Sequence, residues 1–420
     1  MKRAVINILL LICLLVGGFG CSTVGFKRRI REPICADYSV SDPEFNRSMS
    51  HLLNPPLIGG NNVVELLNGD QIFPSMLEAI RHAQKSITFE TYIWSPGKVG
   101  RQFIEAFVER AHAGVRINVI IDALGSGKFS VADQKELTDA GVEFEIYNPP
   151  FFLKILRANH RTHRKQMVVD GRIGFTGGVC IDDKWAGNAE PGQWRDTHFR
   201  VDGPVVAQMQ AVFVDNWLQT RCEVLHGEDY FPEIKPAGTM IAQDFKSGPD
   251  SGGENALLTY LLSIAAAQKS IRMEHAYFVP NDLAVKTLLE ARKRGVRIQI
   301  IVPAKIDNFL VHMASRSRWA KLLDAGVEFY EYQPTLYHCK VMIVDDIWVT
   351  AGSVNFDERS FRINDEANLN VLDKTFAAEM NKTFEADKSK SRRLTAKDFR
   401  RRSWVKKFFY HSVGLLQSQL

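Results

Sequence analysis

Apolar residues along this chain recur at two spacings, one helical and one strand-like, and the two alternate. In FPSMLEAIRHAQ (73–84) they fall three and four apart, which predicts a helix. SITFETYIW (86–94) reads as a strand, FIEAFVERAHAG (103–114) as a second helix ended by Gly114, and VRINVIID (115–122) as a buried strand. A β-α-β succession of this kind predicts an α/β protein with a mostly parallel sheet flanked by helices.

The pattern is written twice. AQKSITFETYIW (83–94) is answered by AQKSIRMEHAYF (267–278), AGVRINVIID (113–122) by RGVRIQIIVP (294–303), and DAGVEFEIY (139–147) by DAGVEFYEY (324–332). The separations are 184, 181 and 185 residues, with the order kept, which two copies of one unit explain better than chance does. The expected organisation is therefore two pseudo-symmetric halves, 60–224 and 256–385. A Gly-, Pro- and charge-rich stretch at 225–255 reads as the connection.

Each copy ends in a short polar motif. HRKQMVVD (163–170) carries His163, Lys165 and Asp170, and HCKVMIVD (338–345) carries His338, Lys340 and Asp345, 175 residues on. On a strand, side chains two apart share a face, so each His and its Lys point the same way. Asp170 and Asp345 lie at odd offsets near the strand end and read as supporting rather than reacting groups. Neutral imidazole is a nucleophile, imidazolium is a proton donor near neutral pH, and an ammonium supplies fixed positive charge. Two of each, brought together, suit a phosphodiester: one His attacks phosphorus, the other protonates the leaving oxygen, and the lysines neutralise the equatorial oxygens. This scheme needs no metal and no cofactor. Six residues past each motif comes a glycine-bearing turn, GGVC (177–180) with Gly178 and GSVN (352–355) with Ser353 and Asn355. Asp196 in WRDTH and Glu366 in NDEANL are candidates to accept the remaining imidazole N–H and fix the tautomer.

The doubled pattern H-x-K-x4-D-x6-G-[GS]-x-N resembles the phospholipase D superfamily, over most of the chain from about Asn61 to about Leu372. LLNGDQIFPSMLEAI, ETYIW, HRKQMVVDGRIGFTGG, VDGPVV and GSVNFDERSFRINDEANL are similar to bacterial cardiolipin synthases. The resemblance implies two phospholipase D-like halves with the active site at their interface, and a covalent phosphohistidine captured by an alcohol. By that resemblance His163 is the nucleophile and His338 the acid and later base, with the lysines and aspartates of both motifs counted in the catalytic set. One departure stands out, since the first motif has Cys180 where the family carries Asn.

Composition adds the setting. The chain of 420 residues, 45% hydrophobic and 24% charged, is long enough for two cores, and its net charge of +5 does not announce a nucleic-acid binder. MKRAVINILLLICLLVGGFGCSTV (1–24) opens basic, is apolar from Ala4 to Val16 except for Asn7, and reaches Cys21 after small residues. Residues 1–21 read as a bacterial lipoprotein signal or as a retained anchor, and either places the protein at a bacterial membrane. In the tail (386–420), Arg400, Arg401, Arg402, Lys406 and Lys407 interleave with Trp404, Phe408 and Phe409, which fits a segment lying on anionic lipid. No C-x-x-C pair occurs, so neither a zinc cluster nor a thiol redox site is signalled. His160 and His163 stand three apart, but only His163 belongs to the repeated pattern, which argues against a metal pair. Trp94, Trp185 and Trp194 either line a lipid channel or belong to the core.

These residues point to phosphatidyl transfer between anionic phospholipids at a membrane surface, two phosphatidylglycerols giving cardiolipin and glycerol. Hydrolysis to phosphatidic acid, a nuclease of the same superfamily, and a non-enzymatic phosphate binder are the competing readings. No nucleic-acid partner is expected. A monomer suffices, because both half-sites lie on one chain.

Overall fold

The computed structural model describes residues 29–149, 159–249, 253–305, 309–395 and 398. The leader (1–21) and most of the basic aromatic tail, including 401–420, lie outside them. The described residues from Pro33 onward form one compact unit. It opens with α1 (Pro43–Leu53) and continues through β1 (Ile58–Leu67), α2 (Asn68–His82), β2 (Ser86–Thr91), α3 (Lys98–His112), β3 (Arg116–Asp122), α4 (Val131–Asp139) and β4 (Glu143–Tyr147). The first motif leads into β5 (Gln166–Val169), followed by β6 (Ile173–Gly177), β7 (Trp194–Arg195), β8 (Thr197–Asp202) and α5 (Val206–Arg221).

The second half repeats the order. It comprises β9 (Met240–Ser247), α6 (Asn255–Ala266), β10 (Ser270–His275), α7 (Asp282–Lys293), β11 (Arg297–Pro303), α8 (Phe309–Asp324) and β12 (Glu328–Tyr332). Then come β13 (Leu336–Tyr337), β14 (Lys340–Val344), β15 (Trp348–Gly352), α9 (Glu358–Arg362), β16 (Glu366–Leu372), α10 (Lys374–Ser389) and β17 (Ser391–Arg393).

Fifteen strands share one sheet in the order β17-β12-β11-β10-β14-β15-β16-β9-β1-β8-β6-β5-β2-β3-β4. Apart from β17 at one edge, the order reads the same from both ends, with β4 answering β12 and β5 answering β14. The antiparallel β1–β9 pair stands at the centre, with Ile58 opposite Ala242 and Asn61 opposite Met240. The two-half α/β reading therefore holds, and the halves are continuous through one sheet.

Helices form where the apolar spacing and caps agree. Phe103 and Phe107, one turn apart on α3, are fully buried and meet Phe89 of β2 at ring-centroid distances of 5.9 and 5.5 Å. Burying each such ring stabilises the fold by about 1.5–3 kcal/mol. The side chain of Asn281 accepts from Ala284 N–H to start α7, and that of Asp373 accepts from Phe376 N–H to start α10.

Three expectations need correction. The sheet is mixed: four ladders are parallel (β2–β3, β3–β4, β10–β11, β11–β12) and ten antiparallel. The β-α-β pattern governs only the outer three strands of each half; beyond β4 and β12 the chain returns and traces antiparallel hairpins that carry the motifs. The stretch 225–255 is not only a connection, because it contains β9. Its sequence MIAQDFKS buries Gln243, Asp244 and Ser247, so it lacks the apolar alternation of a recognisable strand. The tail, placed from 386, begins inside α10, and β17 follows it; Tyr330 of β12 pairs with Arg393 and Arg392 bonds Glu331 at 2.5 Å.

Candidate active site

Both motifs enter the sheet at the end where β2, β3 and β10, β11 finish. His163 and Lys165 lie in the extended stretch just before β5, and Lys340 is the first residue of β14. Alternation then dictates direction. Arg164, between His163 and Lys165, is turned to the other side, where it donates to Val212 O at 2.8 Å and meets Asp215 at 3.3 Å.

The halves exchange partners at this point. His163 N–H donates to Asp365 O at 2.8 Å, and His338 N–H donates to Arg195 O at 2.8 Å. Nδ1 of His163 lies 2.9 and 3.0 Å from the two carboxylate oxygens of Glu366, and Nδ1 of His338 lies 2.7 Å from Asp196 Oδ2. Each imidazole is thus oriented by the acid of the opposite half, which leaves its Nε2 for chemistry. Lys165 Nζ donates to His163 O at 2.6 Å and Lys340 Nζ to His338 O at 2.7 Å, so each ammonium is tethered at its own His. The acids are fully buried, whereas His163 and His338 keep 8% and 6% exposure. That is enough to present an edge to a substrate.

Charge and burial set the protonation. His163 is pushed well below the ordinary histidine value by burial and by Lys165, Lys340 and His338 together. His338 is lowered by burial and Lys340, with Asp196 pulling the other way. Burial opposes ionisation of Asp196, yet His338, Lys340 and the Thr197 N–H hold it below the usual carboxylate range. Glu366 behaves differently, since burial raises it to about 7 despite Lys165 and Ser353. Lys340 is brought down to about 8 by burial. That each motif's groups perturb the other's shows two half-sites sharing one field.

The remaining candidates occupy distinct places. Ser353 Oγ donates to Glu366 Oε2 at 2.5 Å and accepts from Ala367 N–H at 3.0 Å. Gly178 lies against Asp196, where an added Cβ would sit 2.2 Å from Oδ1. Asn355 is buried with its Oδ1 lacking a hydrogen-bond partner, and the matching Cys180 is buried in the apolar core of the first half. Asp170 and Asp345 are not brought to the imidazoles. The carboxylate of Asp170 accepts from the N–H groups of Gln84, Lys85 and Ser86 at 2.7–3.1 Å. Asp345 does the same for Gln268, Lys269 and Ser270 at 2.7–2.8 Å. Seven residues of extended chain separate each from its His, about 20 Å. A cavity of about 970 Å³, lined in part by Lys85, Asp170, Arg172 and Asp229, opens at that far end.

Sequence reasoning missed several contributors. Tyr92 packs edge-on against His163 at 5.1 Å and underlies Lys165 at 5.3 Å. Its place in the repeated AQKSI segment was the available signal. Arg359, within electrostatic reach of His163, donates to Asn159 Oδ1 at 2.9 Å at the rim. Trp94 is core, packed between Phe89 and Phe129, whereas Trp185 and Trp194 both contact the His338 ring at 5.3 Å. Tyr147 donates to Asp365, whose carbonyl receives His163, and nothing local in the sequence marks that pair. Among the described residues no group of three or more His, Cys, Asp or Glu is placed to hold a metal ion.

A family profile described as "Cardiolipin synthase, PLD-like domain" matches residues 76–217 and 260–388. The chain is 33% identical over 352 residues to cardiolipin synthase 2 of Staphylococcus epidermidis, covering 83% of this chain and 72% of that protein. It is 36% identical over 319 residues to the probable cardiolipin synthase YwiE of Bacillus subtilis, covering 74% and 63%. Among solved structures, phosphatidylserine synthase of Haemophilus influenzae Rd KW20 superposes with a TM-score of 0.69 at 15% identity, over 90% of this chain and 100% of that one. That last likeness is one of fold.

Proposed function

The chain belongs to the cardiolipin synthase family of PLD-like proteins, and from this premise we propose that it transfers a phosphatidyl group from one phosphatidylglycerol to another, releasing glycerol. The observation that carries the reading is the reciprocal pairing of His163 with Glu366 and His338 with Asp196, which leaves the Nε2 of each ring free of its acid with an ammonium tethered beside it. His163, kept neutral, attacks phosphorus as the bond to the glycerol oxygen breaks. His338, beside an ionised Asp196, gives that oxygen its proton. Lys165 and Lys340 neutralise the phosphoryl oxygens throughout. In the second step His338 takes a proton from the terminal hydroxyl of the next phosphatidylglycerol, whose oxygen displaces His163 to form cardiolipin. Atoms and charge balance without a further reactant.

The asymmetry of the two acids supports this order. An ionised Asp196 stabilises imidazolium at His338, while Glu366, raised to about 7, offers His163 less charge. Hydrolysis would use the same phosphohistidine with water as acceptor. The lipid is met at a bacterial membrane surface, with the leader and basic tail as anchors. No helix among the described residues is long and apolar enough to cross a membrane. One chain carries both half-sites, so a monomer is sufficient.

The test is incubation of the purified full chain with labelled phosphatidylglycerol, with and without added glycerol. Cardiolipin as the main product, suppressed by glycerol, is expected; phosphatidic acid alone would establish hydrolysis, and degradation of added DNA with inert lipid would establish a nuclease. His163→Ala and His338→Ala should each abolish turnover, a loss of about a thousandfold or more. Only His338→Ala should accumulate labelled phosphoprotein, and trapping in His163→Ala instead would reverse the two roles.

A further inference from the structure

The two halves hold their acids by different means. Glu366 receives a hydroxyl from Ser353, but Gly178 at the matching place lies too close to Asp196 for any side chain. Asp196 is served instead by an indole. Trp185 Nε1–H donates to Asp196 Oδ2 at 2.9 Å, the same oxygen that lies 2.7 Å from His338 Nδ1. The Trp185 ring stands edge-on to His338 at 5.3 Å and 78°, and to Trp194 at 4.5 Å.

The indole is fixed from behind. Trp185, 1% exposed, closes a 3-10 turn (Asp183–Trp185). The Asp183 carboxylate accepts from Lys98 N–H at 3.0 Å and Val99 N–H at 2.9 Å at the start of α3. On the other side the Trp185 carbonyl lies so near Gly69 that a Cβ there would be 1.9 Å from it. These contacts fix the backbone that carries the indole.

We infer that Trp185 is a positioning residue: its N–H locks the rotamer of Asp196 and draws charge from that carboxylate, setting how tightly His338 keeps the proton it delivers. The inference rests on the acid role given above to His338. A donor to a carboxylate stabilises its ionised form and weakens its pull on a neighbouring imidazolium. Besides Asp196, the charged groups acting on His338 are Lys340, on β14, and Lys165, ahead of β5. His163 belongs to the same field. Asp196 in turn is faced by His338, Lys340, the Thr197 N–H and, on β8, the buried His198. Nothing else among these supplies what the indole supplies, a neutral donor on Oδ2.

Trp185→Phe keeps the aromatic packing and deletes the donor. In the full chain, kcat for cardiolipin formation should fall roughly tenfold with KM within about twofold. The His338 ring titration, followed by NMR of ring-labelled histidine and assigned with His338→Gln, should move up by about half a pH unit or more. An unmoved His338 titration in a folded variant overturns the inference, whatever happens to activity. Should Trp185→Phe fail to fold, 3-benzothienylalanine at position 185 preserves the shape without the N–H and must give the same upward shift. The NMR measurement needs no substrate, so a shift in a protein that makes no cardiolipin would sink the transfer reading while upholding the Trp185 contact.

Discussion

Lys340 carries a charge that is sensitive to pH. Burial brings it down to about 8, so in the free enzyme its ammonium is lost as pH rises through that value, and with it one of the two charges on the phosphoryl oxygens. Beyond the earlier fall set by His338 losing its proton, the kcat/KM profile should therefore show a further alkaline limb near pH 8. Lys340→Arg, which stays charged, should move that limb upward by more than one unit while lowering the maximum about tenfold or more, because a planar guanidinium does not replace a compact ammonium. An alkaline limb that stays put would assign it to another group. On the acid side the depressed His163 remains neutral well below the ordinary histidine range, so loss of nucleophile should appear late as pH drops. Nε2 of His338 lies 3.2 Å from Lys340 Nζ and Nδ1 lies 3.1 Å from it, so the ammonium stands about equally far from both ring nitrogens and acts on the ring as a charge.

At the scale of elements, the repeated octapeptide proves to be two devices. Its His and Lys are the groups to which the proposed chemistry falls, and its last residue makes architecture. Asp170 and Asp345 adopt left-handed backbone, φ +53° and +52°, and each gathers three amide N–H groups that begin β2 or β10. Asp170→Ala removes the acceptor and puts a Cβ-bearing residue without side-chain compensation at positive φ, a loss of about 2–4 kcal/mol. Asp170→Asn, which tolerates that conformation, should lose about half as much, and thermal melts of both variants check the order. These elements also show what sequence could disclose. The repeated AQKSI and DAGVEF segments marked β2, β10, β4 and β12 because buried parallel strands are apolar runs. β9 escaped because its inward positions are Gln243 and Asp244, and the antiparallel hairpins escaped because their register depends on neighbours far along the chain. Asp196 and Glu366 stood out as carboxylates close to the motifs. Which ring each would hold could not be read, since the partners lie 142 and 203 residues away and meet only after the halves are joined.

Across the whole molecule, the joint between halves is polar where cores are usually apolar. Asp244, wholly buried on β9, accepts from Gln166 at 2.8 Å and is raised by burial to about 7. In the unfolded chain this carboxyl ionises near the ordinary aspartate value of 3.8, in the folded chain only near 7. Its presence therefore costs nothing below the lower value, costs progressively more as pH rises between the two, and stays costly above. Asp244→Asn, neutral throughout, should stabilise the protein, and by up to about 2–3 kcal/mol more at pH 8 than at pH 5. Equal gains at both pH values would show that Asp244 is ionised in the folded state across the range. The depressed His198 and His275, at about 4 and about 3, act in the opposite sense and withdraw stability as pH drops below 6.5.

Because each ring borrows its acid from across the seam, neither repeat owns a finished histidine–carboxylate pair. A polypeptide ending near Glu228 would carry His163 without Glu366, and one starting near Pro236 would carry His338 without Asp196. Co-expressed as separate pieces, the two should complement one another, with β9 docking on β1 to regenerate cardiolipin formation, while either fragment by itself stays silent. The same geometry describes how a single-copy forerunner could have worked, as a symmetric pair of identical chains lending each other a carboxylate.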